Sequence, residues 1–206
     1  MLTKLKQKIQ TMLTTEAKLA HKIGLTPNVI SFIGIILAIL SAIAYAKWQT
    51  DKIYLFYATL LLLFSGFCDA LDGVLARLYQ NATLFGGFLD SLLDRYADAI
   101  IYASIIISGL CDAPWGLTAL TGSLLVSYTR AKAEAAGIKM ETIGIAERPE
   151  RIIILAATTI TAYLWQMQTR NVMNTGIIIL AILSNITVLQ RTLYAYKKLK
   201  TNKKEN

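Results

Sequence analysis

The sequence predicts an all-α integral membrane protein, with six transmembrane helices preceded by a juxtamembrane amphipathic helix. Three observations lead there. The 206 residues are 55% hydrophobic and only 17% charged, with a mean hydropathy of +0.49, which is too apolar for an ordinary soluble domain. Six long stretches are nearly free of charge, at 29–46, 53–68, 99–111, 113–129, 152–169 and 171–190. About 20 apolar residues cross the hydrocarbon core, and several of these stretches reach that length. The net charge of +8 collects at their flanks, with Lys4, Lys6, Lys8, Lys18 and Lys22 before the first and Lys197, Lys198, Lys200, Lys203 and Lys204 after the last. That distribution suits anionic lipid headgroups and argues against a nucleic-acid partner.

Residues 1–25 carry Leu2, Leu5, Ile9, Met12, Leu13, Ala20 and Ile23 at helical spacing, with lysines on the other face, so they form the interfacial helix. No signal peptide is expected, because no compact apolar core leads to a small-residue cleavage site. Thr26 and Pro27 break this helix, and Asn28 opens the first span, which ends near Lys47. The short loop 48–52 makes an antiparallel hairpin with a second span over 53–77. Asn81, Ala82 and Thr83 mark a turn; Gly86 and Gly87 let the third span start close against its neighbour and run to about Gly109. Asp112, Ala113 and Pro114 turn the chain into a fourth span over 115–136. A polar segment over 137–151 follows, with Pro149 in the first turn of a fifth span that ends near Gln168. The sixth covers 174–196; a basic tail over 197–206 follows, whose end, TNKKEN, is expected to be disordered. Residues 26–196 thus form one domain.

Six spans put both termini on one side, together with Arg77, Arg95, Arg130, Lys132, Lys139, Arg148, Arg151 and Arg191. Only Lys47, Lys52 and Arg170 fall on the other. The excess of basic residues places the termini and the 78–85 and 137–151 segments in the cytoplasm.

Chemistry concentrates between Asp69 and Asp94, where DALDGVLARLYQNATLFGGFLDSLLD sets acids into the most apolar part of the chain. An Asp at a helix centre costs roughly 2.5–3.5 kcal/mol on insertion scales, so four left uncompensated cost on the order of 10 kcal/mol. Residues three or four apart share a helix face, so Asp69 pairs with Asp72 and Asp90 with Asp94, and the turn between them lets the pairs converge at the cytoplasmic end of one hairpin. Hard oxygen donors without nearby His suit Mg²⁺, Mn²⁺ or Ca²⁺ and not zinc. Such a site holds phosphate oxygens, and Arg77, one turn on, is within reach of a phosphate. Gly73 and Ala76 remove bulk beside it. The competing account pairs the acids with Arg77 and Arg95 as a structural core, which leaves acids in excess. His21 reads as a surface residue, and Cys68 and Cys111 as small buried ones.

The pattern D-x2-D-G-x2-A-R-x8-G-x3-D-x3-D is met at each of its eight fixed positions, by Asp69, Asp72, Gly73, Ala76, Arg77, Gly86, Asp90 and Asp94. On these residues the chain resembles the CDP-alcohol phosphotransferases, membrane enzymes of phospholipid synthesis, over essentially its whole length. The resemblance implies that an acceptor hydroxyl attacks the β-phosphorus of a CDP-linked lipid, diacyl or archaeal ether, and releases CMP. It implies Mg²⁺ or Mn²⁺ held by Asp69, Asp72 and Asp90, with Asp94 on a second ion and acting as general base. It further implies a nucleotide site lined by Gly73, Ala76 and Arg77, and a homodimer. With no histidine nearby, a carboxylate is the available base. Asp98, outside the pattern, reads as structural.

Arg130, Lys132, Arg148, Arg151 and Arg191 lie at one membrane depth and suit a phosphorylated acceptor. The segments SYTRAKAEAAG and IGIAERPER resemble the phosphatidylinositol-phosphate and archaetidylinositol-phosphate synthase branch, which implies that these five bind the phosphate of inositol 1-phosphate. Glycerol 3-phosphate is the main rival acceptor, with serine and free inositol behind it. Aromatic prenyltransferases use differently spaced DxxxD motifs. An intramembrane cation transporter explains neither Arg77 nor the basic cluster.

Overall fold

A computed structural model describes residues 13–79, 83–140 and 142–205, with side chains through Lys200. Its regular structure is helical: α1 over 13–22, α2 Pro27–Ala46, α3 Ile53–Leu78, α4 Leu84–Ile107, α5 Ala113–Ala135, α6 Arg148–Leu164, a 3₁₀ turn Gln166–Gln168, and α7 Thr169–Glu205. Three helices are long and apolar enough to cross a membrane, within Pro27–Ala46, Ile53–Leu78 and Gln166–Lys200. Of the other helices, α4 holds Asp90, Asp94, Arg95 and Asp98, α5 holds Arg130, Lys132 and Glu134, and α6 begins with Arg148, Glu150 and Arg151.

Local chemistry sets the helix starts. Thr26 caps α2 by accepting from the Val29 amide at 3.4 Å, and Pro27 occupies the first turn, where its missing N–H leaves nothing unpaired. Thr83 caps α4 by accepting from the Gly86 amide at 2.9 Å. A β-carbon on Gly86 would lie 3.2 Å from Asn28 Oδ1, so this glycine does allow a close approach to α2, whereas Gly87 faces open space. Pro114 and Pro149 likewise fall in the first turns of α5 and α6.

The bundle packs α2 against α3 and α4, α6 against α3 and α7, and α5 against α4 and α7. Its core joins Tyr45, Leu55, Leu62, Ile101, Ile105, Leu155 and Ile177 to small residues such as Ala38, Ala58 and Ala162. Buried hydroxyls tie helix to helix: Ser41 donates to the Ala58 carbonyl, Ser65 to that of Gly34, and Tyr45 shares a 2.8 Å bond with Thr159. Large apolar side chains point outward along α2, α3 and α7, among them Phe32, Ile36, Phe64, Ile182 and Leu189. Small and polar inside with apolar outside is the pattern of helices that pack in lipid.

The tightest helix contact involves Gly176 on α7, whose added β-carbon would meet Thr158 Cγ2 at 2.2 Å and Thr158 Cβ at 2.8 Å. A rotamer change moves Cγ2 but not Cβ, so the helices themselves must separate. Gly176→Ala is therefore expected to destabilise the protein by about 1–3 kcal/mol, read as thermal unfolding in detergent, and Thr158→Gly to restore most of the loss.

Several expected boundaries shift. The fifth helix ends at Leu164, not Gln168, because the chain leaves helical geometry at Trp165 and tightens into the 3₁₀ turn. The last helix begins at Thr169, ahead of the expected Asn174, and runs to Glu205, so TNKKEN, expected to be disordered, is helical as far as residue 205, and residue 206 lies outside the described residues. No Gly or Pro follows Gly176, and Leu, Lys, Ala and Gln favour continuation. In α1, the described part of the expected interfacial helix, Leu13, Ala17 and Ala20 pack on Ile30, Leu71, Val74 and Leu75, while Leu19 stays exposed, as does Ile23 just beyond it. Leu2, Leu5, Ile9 and Met12 lie outside the described residues. His21 is exposed, with its ring stacked on Tyr79 at 3.6 Å. Both cysteines are free; burial pushes the Cys111 thiol, in the turn before α5, up to about 11, which keeps it protonated.

Candidate active site

Helices α3 and α4 bring the acids together as their spacing requires. Single carboxylate oxygens of Asp69, Asp72 and Asp90 lie within 4.8 Å of one another. These three face a narrow crevice that Ser31, Gly34, Asp94 and Arg148 also line. Asp72 is buried, and Ser31 of α2 donates to its Oδ2 at 2.5 Å, which leaves Oδ1 for a ligand. Three convergent hard-oxygen donors, with no imidazole or thiolate among them, fit a divalent ion of the Mg²⁺ or Mn²⁺ kind. Asp94 stands outside this trio.

The fourth acid, Asp94, lines the same crevice and shares a cation with Asp69. Arg148, the first residue of α6, places Nη1 at 2.8 Å from both Asp94 Oδ1 and Asp69 Oδ2, and Nε at 3.4 Å from Asp98. Asp98 is saturated, since it also accepts from Arg151 at 2.9 Å and from Ser123 at 2.7 Å. It clamps α4 to α5 and α6, in agreement with its reading as structural. The positive charges that meet the acids come from Arg148 and Arg151, whereas the structural alternative had named Arg77 and Arg95. Arg77 is exposed and folds over Gly73, with Nη1 3.5 Å from where a β-carbon would stand; Ala76 is half-buried on the same terminal turns of α3.

A second cavity of about 360 Å³ opens beside the crevice, between α4, α5, α6 and α7. Its lining includes Arg130, Arg148, Arg151 and Arg191, four of the five expected cations. Lys132 is exposed and does not line it, because a two-residue step from Arg130 turns it about 200° away, whereas Ser127, Arg130, Ala131 and Glu134 share the lining face. Two of the four are less available than their positions suggest. Arg191 is 2% exposed and donates to the Ile143 and Val126 carbonyls and to Glu147 at 2.7–2.8 Å. Arg151, 3% exposed, is held by the Ala146 carbonyl and Asp98. Arg130 is half-exposed and pairs with Glu134 at 2.9 Å.

Residues 24–191 match the CDP-alcohol phosphatidyltransferase family. The archaetidylinositol phosphate synthase of Methanothermobacter thermautotrophicus is 41% identical over 185 residues, covering 88% of this chain and 89% of the relative. The chain belongs to the CDP-alcohol phosphatidyltransferase family. It is therefore a phosphotransferase and a membrane protein. The archaetidylinositol phosphate synthase of Pyrococcus horikoshii is 39% identical over 201 residues, covering 97% of this chain and 98% of that one. Among solved structures, the phosphatidylinositol phosphate synthase of Mycobacterium tuberculosis with CDP-DAG bound superposes with a TM-score of 0.74 at 28% identity, covering 90% of this chain and 94% of the other. The same enzyme in complex with manganese and citrate gives 0.74 at 28% identity, covering 89% and 88%.

Sequence reasoning missed Ser31, Glu147 and the cavity role of Ser127 and Arg95. Ser31 gives no signal beyond a small hydroxyl in an apolar span. Glu147 lies in the segment already singled out, next to Arg148.

Proposed function

We propose that this chain transfers the phosphatidyl-type group of a CDP-linked lipid to a hydroxyl of inositol 1-phosphate, with CMP as the leaving group. The observation that carries this reading is the adjacency of two compartments that share Asp90, Asp94 and Arg148, one acidic and one lined by arginines. A pyrophosphate needs cations, which the acids would hold; a phosphorylated acceptor needs arginines. The relatives' names and the superposed complexes support the same pairing.

Asp69, Asp72 and Asp90 would hold Mg²⁺ or Mn²⁺. When bound there, such an ion supplies positive charge to pyrophosphate oxygens as negative charge grows on them. Ser31 fixes the Asp72 carboxylate. Gly73, Ala76 and Arg77 would receive the nucleotide on the last turns of α3. Asp94 faces both compartments and takes the proton of the attacking hydroxyl. The oxygen forms a bond to the β-phosphorus, the bond from that phosphorus to the bridging oxygen breaks, and CMP leaves with that oxygen. Arg130 and Arg148 meet the acceptor phosphate, while Arg151 and Arg191 hold the cavity walls in place.

Six spanning helices, α2 to α7, are part of the proposal, with α1 lying in the interface and both termini and the site on the cytoplasmic side. The buried pairing of Asp98 on α4 with Arg148 and Arg151 on α6, turned inward and away from lipid, supports the count. A homodimer accompanies the family resemblance. Purified protein with Mn²⁺ and a CDP-lipid is expected to release CMP with inositol 1-phosphate, and to stop when EDTA is added. Release with glycerol 3-phosphate, serine or inositol alone would replace the acceptor, and none with any of them would sink the reading.

A further inference from the structure

The cavity beside the acids is lined by five arginines, and their commitments differ. Arg148 is shared among the carboxylates of Asp69, Asp94 and Asp98, so its charge is already met. Arg151 is spent on Asp98, and Arg191 on Glu147 and two carbonyls. Arg130 holds Glu134 and lies 3.9 Å from Glu147. Arg95 alone has no carboxylate within ion-pairing distance among the described residues. Its guanidinium donates to the carbonyl of Ser91, one turn back on its own helix.

A neutral carbonyl on the same helix is a weak tether. It holds the side chain along the cavity wall without neutralising it, and leaves most of the five guanidinium donors unspent. The position also matters: Arg95 directly follows Asp94, and both line the cavity together with Ser91 and Arg130. A phosphate monoester dianion entering this space meets in Arg95 a planar fork suited to two of its oxygens. A polyol held there by its phosphate keeps a ring hydroxyl for Asp94.

We infer that Arg95 is a ligand of the acceptor's phosphate and makes the site select a phosphorylated polyol over the free alcohol. This rests on the proposed reaction and adds to it a residue that the sequence reading had paired with the acids only in the competing structural account.

The test compares wild type with Arg95→Ala and Arg95→Lys in steady-state CMP release, varying the phosphorylated acceptor and the CDP-lipid separately. Losing a charge-assisted contact is expected to raise the acceptor KM about 10–100-fold in Arg95→Ala, with the CDP-lipid KM within about twofold. Arg95→Lys should recover part of the loss, since the charge remains and the fork does not. An acceptor KM within about twofold of wild type overturns the inference. So does a rise confined to the CDP-lipid KM, which would put Arg95 on the pyrophosphate. If Arg95→Ala does not fold, Arg95→Lys and Arg95→Gln carry the same comparison, and equal acceptor KM in both overturns it. Wild-type protein that turns over no phosphorylated acceptor instead overturns the proposed reaction, and the inference falls with it.

Discussion

Asp94→Asn is expected to lower CMP release by about 10³-fold or more while CDP-lipid still binds. General-base catalysis contributes about 10²–10⁴-fold, and here few groups are able to provide it. The one histidine, His21, sits on α1, stacked on Tyr79. Asp69, Asp72 and Asp90 converge on one point and are the candidate ion ligands, and Asp98 is closed off by two arginines and a serine. Asp94 alone combines a carboxylate, a place outside the trio, and a surface on both compartments. The amide keeps the size and removes the basicity, so binding of CDP-lipid, followed by a fluorescent analogue or calorimetry, should change little. Activity above a tenth of wild type would move the base elsewhere.

Arg148→Met is expected to be the most damaging structural substitution in the bundle. It leaves Asp69, Asp94 and Asp98 without the cation that reaches all three, and removing one partner of a buried charged cluster costs about 3–5 kcal/mol. Its side chain is only 14% exposed, so solvent screening discounts little of this. The loss should show in thermal unfolding in detergent, and Mn²⁺ should recover part of it by bringing positive charge back to the same oxygens. A loss under about 1 kcal/mol, or one indifferent to Mn²⁺, would mean that the acids are compensated from elsewhere.

The acidic hairpin was legible because helical periodicity and one short turn decide it: residues three and four apart must share a face, and the turn 78–85 must bring two such faces together. The helices were legible from apolar length. What the sequence withheld were contacts between distant segments. Ser31 reaches Asp72 across 41 positions, and neither residue type signals the other. The basic residues were readable as a group by membrane depth, but depth does not say which way a side chain points. Arg191 and Arg151 were expected as open phosphate ligands and are buried among carbonyls and acids; Lys132 was expected beside Arg130 and points away. Arg95 entered as a partner of the acids only through the competing structural account, yet the ion pairs to Asp69, Asp94 and Asp98 come from α6. The end of α7 runs past the expected start of disorder because the Lys, Leu and Glu residues of its polar, charged run carry good helix propensity.

Arg148 stands in the wall common to the crevice and the cavity. A ligand that drew the guanidinium toward one side would alter the charge left on the other. Equilibrium linkage makes this mutual: the factor by which one occupant tightens or weakens the second is the factor by which the second acts on the first. One side chain in the common wall would then make occupancy of either compartment bear on the affinity of the other.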